Sequence, residues 1–293
     1  MEKVTSLKGV EKGGSMKTNV VGESLFVPLE EDSFTFSCHK KLACFTACCA
    51  KLRLILTPYD ILRLKNRLSV PSDVFLDLHT ETLFDEGKRF PLVRLRMLDD
   101  ETGKCPFLTT EGCSVYEDRP GACRLYPVGR ASSLLRDKTG VREKFFLVRE
   151  PHCLGFNEDK KWKMDDWTAH EGLKDYQRYN DRWLSIITSR DSIGAKDQAA
   201  KKYRMFFMAS YNIDKFRSFL FSSRFFERFE VDDSLQEKMK KDDEALLEFA
   251  FDWLDFSLFG KKKPSISIHS PGHDHGIISI NRGSSIPWSC FFC

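Results

Sequence analysis

Eight of the ten cysteines in this 293-residue chain fall between residues 38 and 153. Cys38, Cys44, Cys48 and Cys49 come first, in FSCHKKLACFTACCAK. Cys105, Cys113 and Cys123 follow in GKCPFLTTEGCSVYEDRPGACRLYP, and Cys153 closes the set in EPHCLGF. Thiols in such numbers can be small buried hydrophobes, disulfide partners or metal ligands. Scattered single cysteines suit the first role, and a cluster does not. Disulfides need an oxidising compartment. The N-terminal MEKVTSLKGVEKGGSMKTN has charges but no apolar run or small-residue cleavage site of a secretory signal. No stretch approaches the roughly 18 apolar residues of a membrane span. The expectation is therefore a cytoplasmic chain with reduced thiols that bind metal.

The spacing refines this. The gaps are C-x5-C-x3-C-C, then C-x7-C-x9-C, then the distant Cys153, and they do not form the two short knuckles of a zinc ribbon. The side chains of consecutive residues diverge, so Cys48 and Cys49 are poorly placed to share one tetrahedral ion. Either one of them is a spectator, or they serve separate sites. Eight thiolates suffice for two four-cysteine sites or for one with reserves. Zinc and iron–sulfur clusters both accept four thiolates, so spacing points to metal without choosing between them. His39 and His152, beside Cys38 and Cys153, are alternative nitrogen ligands.

The run C-x5-C-x3-C-C followed by C-P-F-L-x4-G-C-x-V-Y-x-x-R-P-x-x-C-R-x-Y-P resembles the YkgJ-type cysteine-cluster family, whose members are described as chelators of zinc or iron. The first gap, from Cys38 to Cys44, is wider than in the usual C-x2-C-x2-C-C form. The second half matches closely at Cys105, Pro106, Gly112, Cys113, Tyr116, Arg119, Pro120, Cys123, Arg124, Tyr126 and Pro127. The resemblance covers about residues 34 to 156. It implies a metal-binding domain holding an iron–sulfur cluster or iron, with zinc as the alternative. Flagellin lysine methylases resemble the same cluster, which opens a methyl-transfer role by analogy. Arg119 and Arg124 stand beside matched cysteines, so the resemblance implies that their charge supports the thiolates; the plainer alternative is a turn and a surface charge. Tyr116 and Tyr126 are expected to cover the site.

The elements that must aim these residues are legible in part. Thr57, Pro58 and Asp60 make an N-cap, a first helical residue and an acidic third residue. Ile61, Leu62, Leu64 and Leu68 give that helix an apolar face. Ser72 is expected to cap a short helix that runs through Leu78 and ends at His79, a surface or capping group. Phe90–Leu98 alternates Val93, Leu95 and Met97 with Arg94 and Arg96, as a half-buried strand does. Residues 99–103, DDETG, form a turn that delivers Cys105. Lys144–Val148 is a second strand, leading to Cys153.

Beyond Trp162 the pattern turns helical. Thr168 and Glu171 read as a capping box. Leu173, Tyr176, Trp183 and Ile187 recur at helical spacing, and further helices are expected over Ala195–Phe207, Ile213–Phe229 and Leu235–Phe259. Twelve phenylalanines lie between Phe206 and Phe259, chiefly as an aromatic core. The sharper alternative is a groove for a protein partner. With 46 basic and 43 acidic residues the net charge is only +3, which gives no general case for nucleic acid. The fold class is therefore α+β: a small cysteine-rich, metal-organised domain with short strands, then a mainly helical region. The expected divisions are a disordered 1–23, a metal-binding 24–160, a helical 161–260 and a disordered tail 261–293. His269, His273, His275, Cys290 and Cys293 in that tail are expected to form no designed site. Two functions remain open at this point. One is an iron or iron–sulfur protein with a redox or methyl-transfer role. The other is a structural zinc module whose aromatic helices bind a partner.

Overall fold

The computed structural model describes residues 25–29, 31–84, 89–135, 140–193 and 199–269. Cys290, Cys293, His273, His275, the N-terminal segment 1–23 and most of the tail 261–293 lie outside the described residues. The architecture is α+β, with short antiparallel strands concentrated in the N-terminal half and helices in the C-terminal half.

The strand expected within Phe90–Leu98 is Leu92–Leu95, the centre of a three-stranded sheet. Its neighbours are Ile55–Leu56 and Thr80–Leu83, both antiparallel. Val93 and Leu95 are buried while Arg94 is half-buried and pairs with Glu81, which is the period-two pattern the sequence carries. The strand at Lys144–Val148 is longer than expected, Val141–Val148, because it is half of a hairpin with Val128–Leu134. That partner strand is rich in small and polar residues and carries little alternation. Phe26–Pro28 adds a third strand on the other edge. A further short pair joins Lys161–Lys163 to Ser33–Thr35 and so fixes the approach to Cys38.

Thr57 caps the helix Pro58–Leu68 in a full capping box. The Thr57 N–H and hydroxyl both donate to Asp60 Oδ2, and the Asp60 N–H donates to Thr57 Oγ1. Asp60 is buried, and its second oxygen, Oδ1, accepts from the Gly121 N–H at 2.8 Å. One carboxylate thus ties the start of this helix to the start of the short helix Gly121–Leu125, which carries Cys123. Ser72 departs from its expected role. It is the first residue of the helix Ser72–His79 after Pro71, and its hydroxyl bonds Asn212 and the Asp214 N–H across the fold.

The expected capping box at Thr168 and Glu171 does not form. The helix begins earlier, over Met164–His170, because the strand Lys161–Lys163 leads straight into it. Thr168 therefore lies inside a helix and returns its hydroxyl to the Met164 carbonyl. The next helix, Lys174–Ile187, buries Tyr176, Tyr179, Trp183 and Ile186. Ala199–Tyr211 and Ile213–Ser222 follow. The long pattern to Phe259 is cut at Asp242, whose carboxylate caps a new helix, Asp243–Phe259, by accepting from Glu244 and Ala245. Phe206, Phe216, Phe225, Phe249, Phe251 and Trp253 are all essentially buried, so the aromatic residues fill a core.

That core is continuous from Phe34 to Ile266 and crosses residue 160. Tyr59 of the first helix stacks on Tyr179 at 4.3 Å and bonds Glu244. Lys65, also buried, pairs with Asp214 and Asp243. The start of the segment expected to be disordered is instead packed: Ile266 is buried, and Ser267–Ile268 pairs with Phe229–Glu230. Lys261 and Lys263 hold the buried Asp255 carboxylate, and together with Arg182 they keep it down near pH 2 despite its burial.

Replacing Asp60 with Ala leaves Thr57 as the N-cap but removes the reciprocal half of the capping box and strands the Gly121 N–H. Chemical denaturation of the full chain should show a loss of roughly 2–4 kcal/mol, the sum expected for two unsatisfied backbone donors. A change below about 1 kcal/mol would show that Asp60 does not join the two helices energetically.

Candidate metal centre

The cysteine loops are pinned to one another by backbone. The first motif runs through turns at 39–46 and a short 3-10 helix, Ala47–Cys49. From there the chain meets the second motif: Lys51 N–H donates to Gly103, and Cys105 N–H donates to the Cys49 carbonyl at 2.8 Å. The expected turn is present. Asp100 Oδ1 gathers the N–H groups of Thr102 and Gly103 and the Thr102 hydroxyl. Cys105 then enters a tight hairpin in which Leu108–Thr109 pairs with Gly112–Cys113. Gly112 has φ +115, and a side chain there would meet the Phe45 ring at 3.4 Å, so the hairpin rests against the first loop.

Cys153 reaches the first loop by a close approach at Gly155. The Ser37 N–H donates to the Gly155 carbonyl at 3.0 Å. A Cβ on Gly155 would lie 2.5 Å from the Phe36 ring and 2.9 Å from the Ser37 carbonyl. Only glycine lets these two segments come so near. The Leu154 N–H then donates to the Cys44 sulfur at 3.2 Å.

All eight cysteines are free thiols; Cys38 is exposed and the other seven are half-buried. They fall into two neighbourhoods. Cys38 is pushed up to about 11 by burial and then by the charges of Cys48, Cys44 and Cys153. Cys123 is pushed up to about 12 by burial, then by Cys105, Asp60, Cys113 and Cys48. Cys48 stands between the two and is itself raised, first by its hydrogen bond with Cys49, then by burial and by the charges of Cys49 and Glu150. Burial raises Cys105 and Cys113 as well, opposed by backbone N–H groups: that of Phe107 for Cys105 and that of Val115 for Cys113. Amides aimed at sulfur favour the ionised form that a metal requires.

Among the described residues, no three His, Cys, Asp or Glu side chains lie close enough together to hold a metal ion. The four-sulfur arrangement of a tetrahedral site is not formed among them. The donor set itself fits a soft metal: eight free thiols, with amides directed at the sulfurs of Cys44, Cys105 and Cys113.

Arg119 and Arg124 are placed beside the site, but their hydrogen bonds go elsewhere. Arg119 lies over the Tyr116 ring at 3.7 Å, donates to the Tyr116 carbonyl, and pairs with the buried Glu171. Arg124 donates to the carbonyls of Arg119, Glu171 and Glu117. The two arginines clamp the cysteine loop to the helical layer, and Arg119 draws Cys113 down by its charge. Tyr116 is exposed. Tyr126 is raised by burial and by its hydrogen bond with Cys153, and it donates to Glu150 at 3.1 Å. Glu150 is a residue that sequence reasoning missed; it sits three positions before Cys153 with only that proximity as a signal. The neighbouring histidines turn to carboxylates, His39 to Glu158 and His152 to Glu150. His79 lies between the rings of Phe75 and Phe107, where burial lowers its pKa.

With that geometry in place, comparison with known proteins gives one match. Residues 37–154 match the model of the CxxCxxCC family, described as a "putative zinc- or iron-chelating domain". No curated protein and no solved structure matches the chain. Among the described residues no helix is long and apolar enough to cross a membrane.

Two outcomes follow. Replacing Gly155 with Ala should cost roughly 1–3 kcal/mol from overpacking and should lower metal content, since it separates the Cys153 turn from Cys38; unchanged metal content would remove Gly155 from this role. The thiols also set a pH dependence. Cys38 and Cys123 rise from 9.0 to about 11 and about 12 on folding, so the folded chain holds these protons more tightly than the unfolded one. That stabilisation is complete below pH 9 and is lost as the pH climbs through 11 to 12. The chelator-treated chain should therefore lose denaturation midpoint steeply over that window. A flat profile would contradict the thiol environments described.

Proposed function

We propose that the cysteine domain binds iron as an iron–sulfur centre and that the protein has a redox role in a reducing compartment such as the cytoplasm. The observation that carries this reading is the state of the eight thiols: all free, none fully buried, and several receiving backbone N–H groups. A purely structural zinc site is closed and four-coordinate. Here there are twice as many thiols as such a site uses, and they remain partly open to solvent.

Thiolate-bound iron supplies one-electron chemistry whose potential responds to amide donors and solvent exposure. The chain's own contribution is positional. Cys38, Cys44, Cys48, Cys49, Cys105, Cys113, Cys123 and Cys153 would hold the iron. The N–H groups of Leu154, Phe107 and Val115 steady three of the sulfurs, and Tyr126 holds a proton between Cys153 and Glu150. The clamp of Arg119 and Arg124 on Glu171 keeps the second loop in register with the helices.

Anaerobically purified protein should be coloured, carry iron with acid-labile sulfide, and bleach on reduction with dithionite. A colourless preparation with stoichiometric zinc would refute the reading and support the structural zinc alternative.

A further inference from the structure

Building on the metal-binding reading above, the geometry points to two separate thiolate centres, one on Cys38, Cys44 and Cys153 and the other on Cys105, Cys113 and Cys123, with Cys48 and Cys49 each completing one of them. The division follows the backbone. The first group is assembled where the 153–155 turn docks on residues 37–44, through Ser37 N–H to Gly155 and Leu154 N–H to the Cys44 sulfur. The second is assembled by the 105–113 hairpin and by the helix Gly121–Leu125, itself anchored by Asp60 to the Gly121 N–H. These are different pieces of scaffold, and each brings three thiols of its own.

The backbone joins the two groups at the adjacent pair. The Ala47 N–H donates to the Cys44 carbonyl at 2.9 Å, and the Cys105 N–H donates to the Cys49 carbonyl at 2.8 Å. Arg124, next to Cys123, donates to the Glu117 carbonyl in the segment that follows Cys113. The chain thus passes between the groups where two consecutive cysteines stand. Side chains of consecutive residues diverge, which is unfavourable for a single tetrahedral ion and suited to two. Each group of three, with one thiol of the pair, reaches the four ligands that zinc and common iron–sulfur clusters take.

The test is metal content per chain in full-length protein isolated anaerobically, comparing wild type with Cys38→Ser, Cys153→Ser, Cys113→Ser and Cys123→Ser. Each variant should keep roughly half of the wild-type metal. In Cys38→Ser, the thiols of Cys105, Cys113 and Cys123 should stay protected from alkylation; in Cys113→Ser, those of Cys38, Cys44 and Cys153 should. Cys38 is exposed, so its substitution leaves the fold intact, and circular dichroism checks this for all four. Complete loss of metal from a folded Cys38→Ser variant would establish a single shared centre and overturn the inference, as would full retention in any of the four. Metal identity does not enter: zinc in the wild type would refute the proposed iron chemistry yet leave the halving as the test. A wild-type chain without metal would sink both, and it would show before any substitution was made.

Discussion

Thiols that are drawn out of water resist ionisation, and much at this site follows from that constraint. Burial and the neighbouring sulfurs push Cys38 and Cys123 upward, and the hydrogen bond with Cys49 followed by burial pushes Cys48 upward. A bound cation reverses the balance, because its attraction exceeds the repulsion among thiolates. The scaffold must therefore hold the loops near one another without help from the sulfurs. It does so with backbone contacts: Cys49 to Cys105, Ser37 to Gly155, Leu108 to Cys113. Sulfur chemistry is added to a frame that polypeptide hydrogen bonds have already set.

That frame leans on the helical half. The cysteine loops are too short to bury much apolar surface, and the hydrophobic core that supports them belongs to the whole chain. Asp60 links the first helix to the helix carrying Cys123. Arg119 and Arg124 close on Glu171, beyond the cysteine segment. Removing one partner from such a buried charge pair leaves the other uncompensated, so the arginines matched by the family pattern have a structural reason to be there. Their role is to clamp the loop, with an electrostatic effect on Cys113 alongside.

Much of this was legible in the sequence, for identifiable reasons. Eight cysteines within 116 residues stand out from any background. The Thr57-Pro58-Asp60 cap and the Val93/Leu95 alternation are local signals that tertiary structure left intact. The misses also have causes. Val128–Leu134 is a strand because Val141–Val148 pairs with it, and its own residues do not say so. Thr168 lost its capping role because the helix began four residues earlier, out of a strand formed with distant Ser33–Thr35. The division at residue 160 hides a shared core, since Tyr59 meets Tyr179 only in three dimensions. Glu150 was invisible because a lone carboxylate near a cysteine carries no spacing signature.

The central claim is that these eight cysteines hold metal. Differential alkylation of the metal-loaded full chain, read site by site by mass spectrometry before and after chelation, tests it most directly. The account predicts that Cys38, Cys44, Cys48, Cys49, Cys105, Cys113, Cys123 and Cys153 are shielded in the loaded protein and become reactive once the metal is removed. Equal labelling of these residues before and after chelation would contradict it.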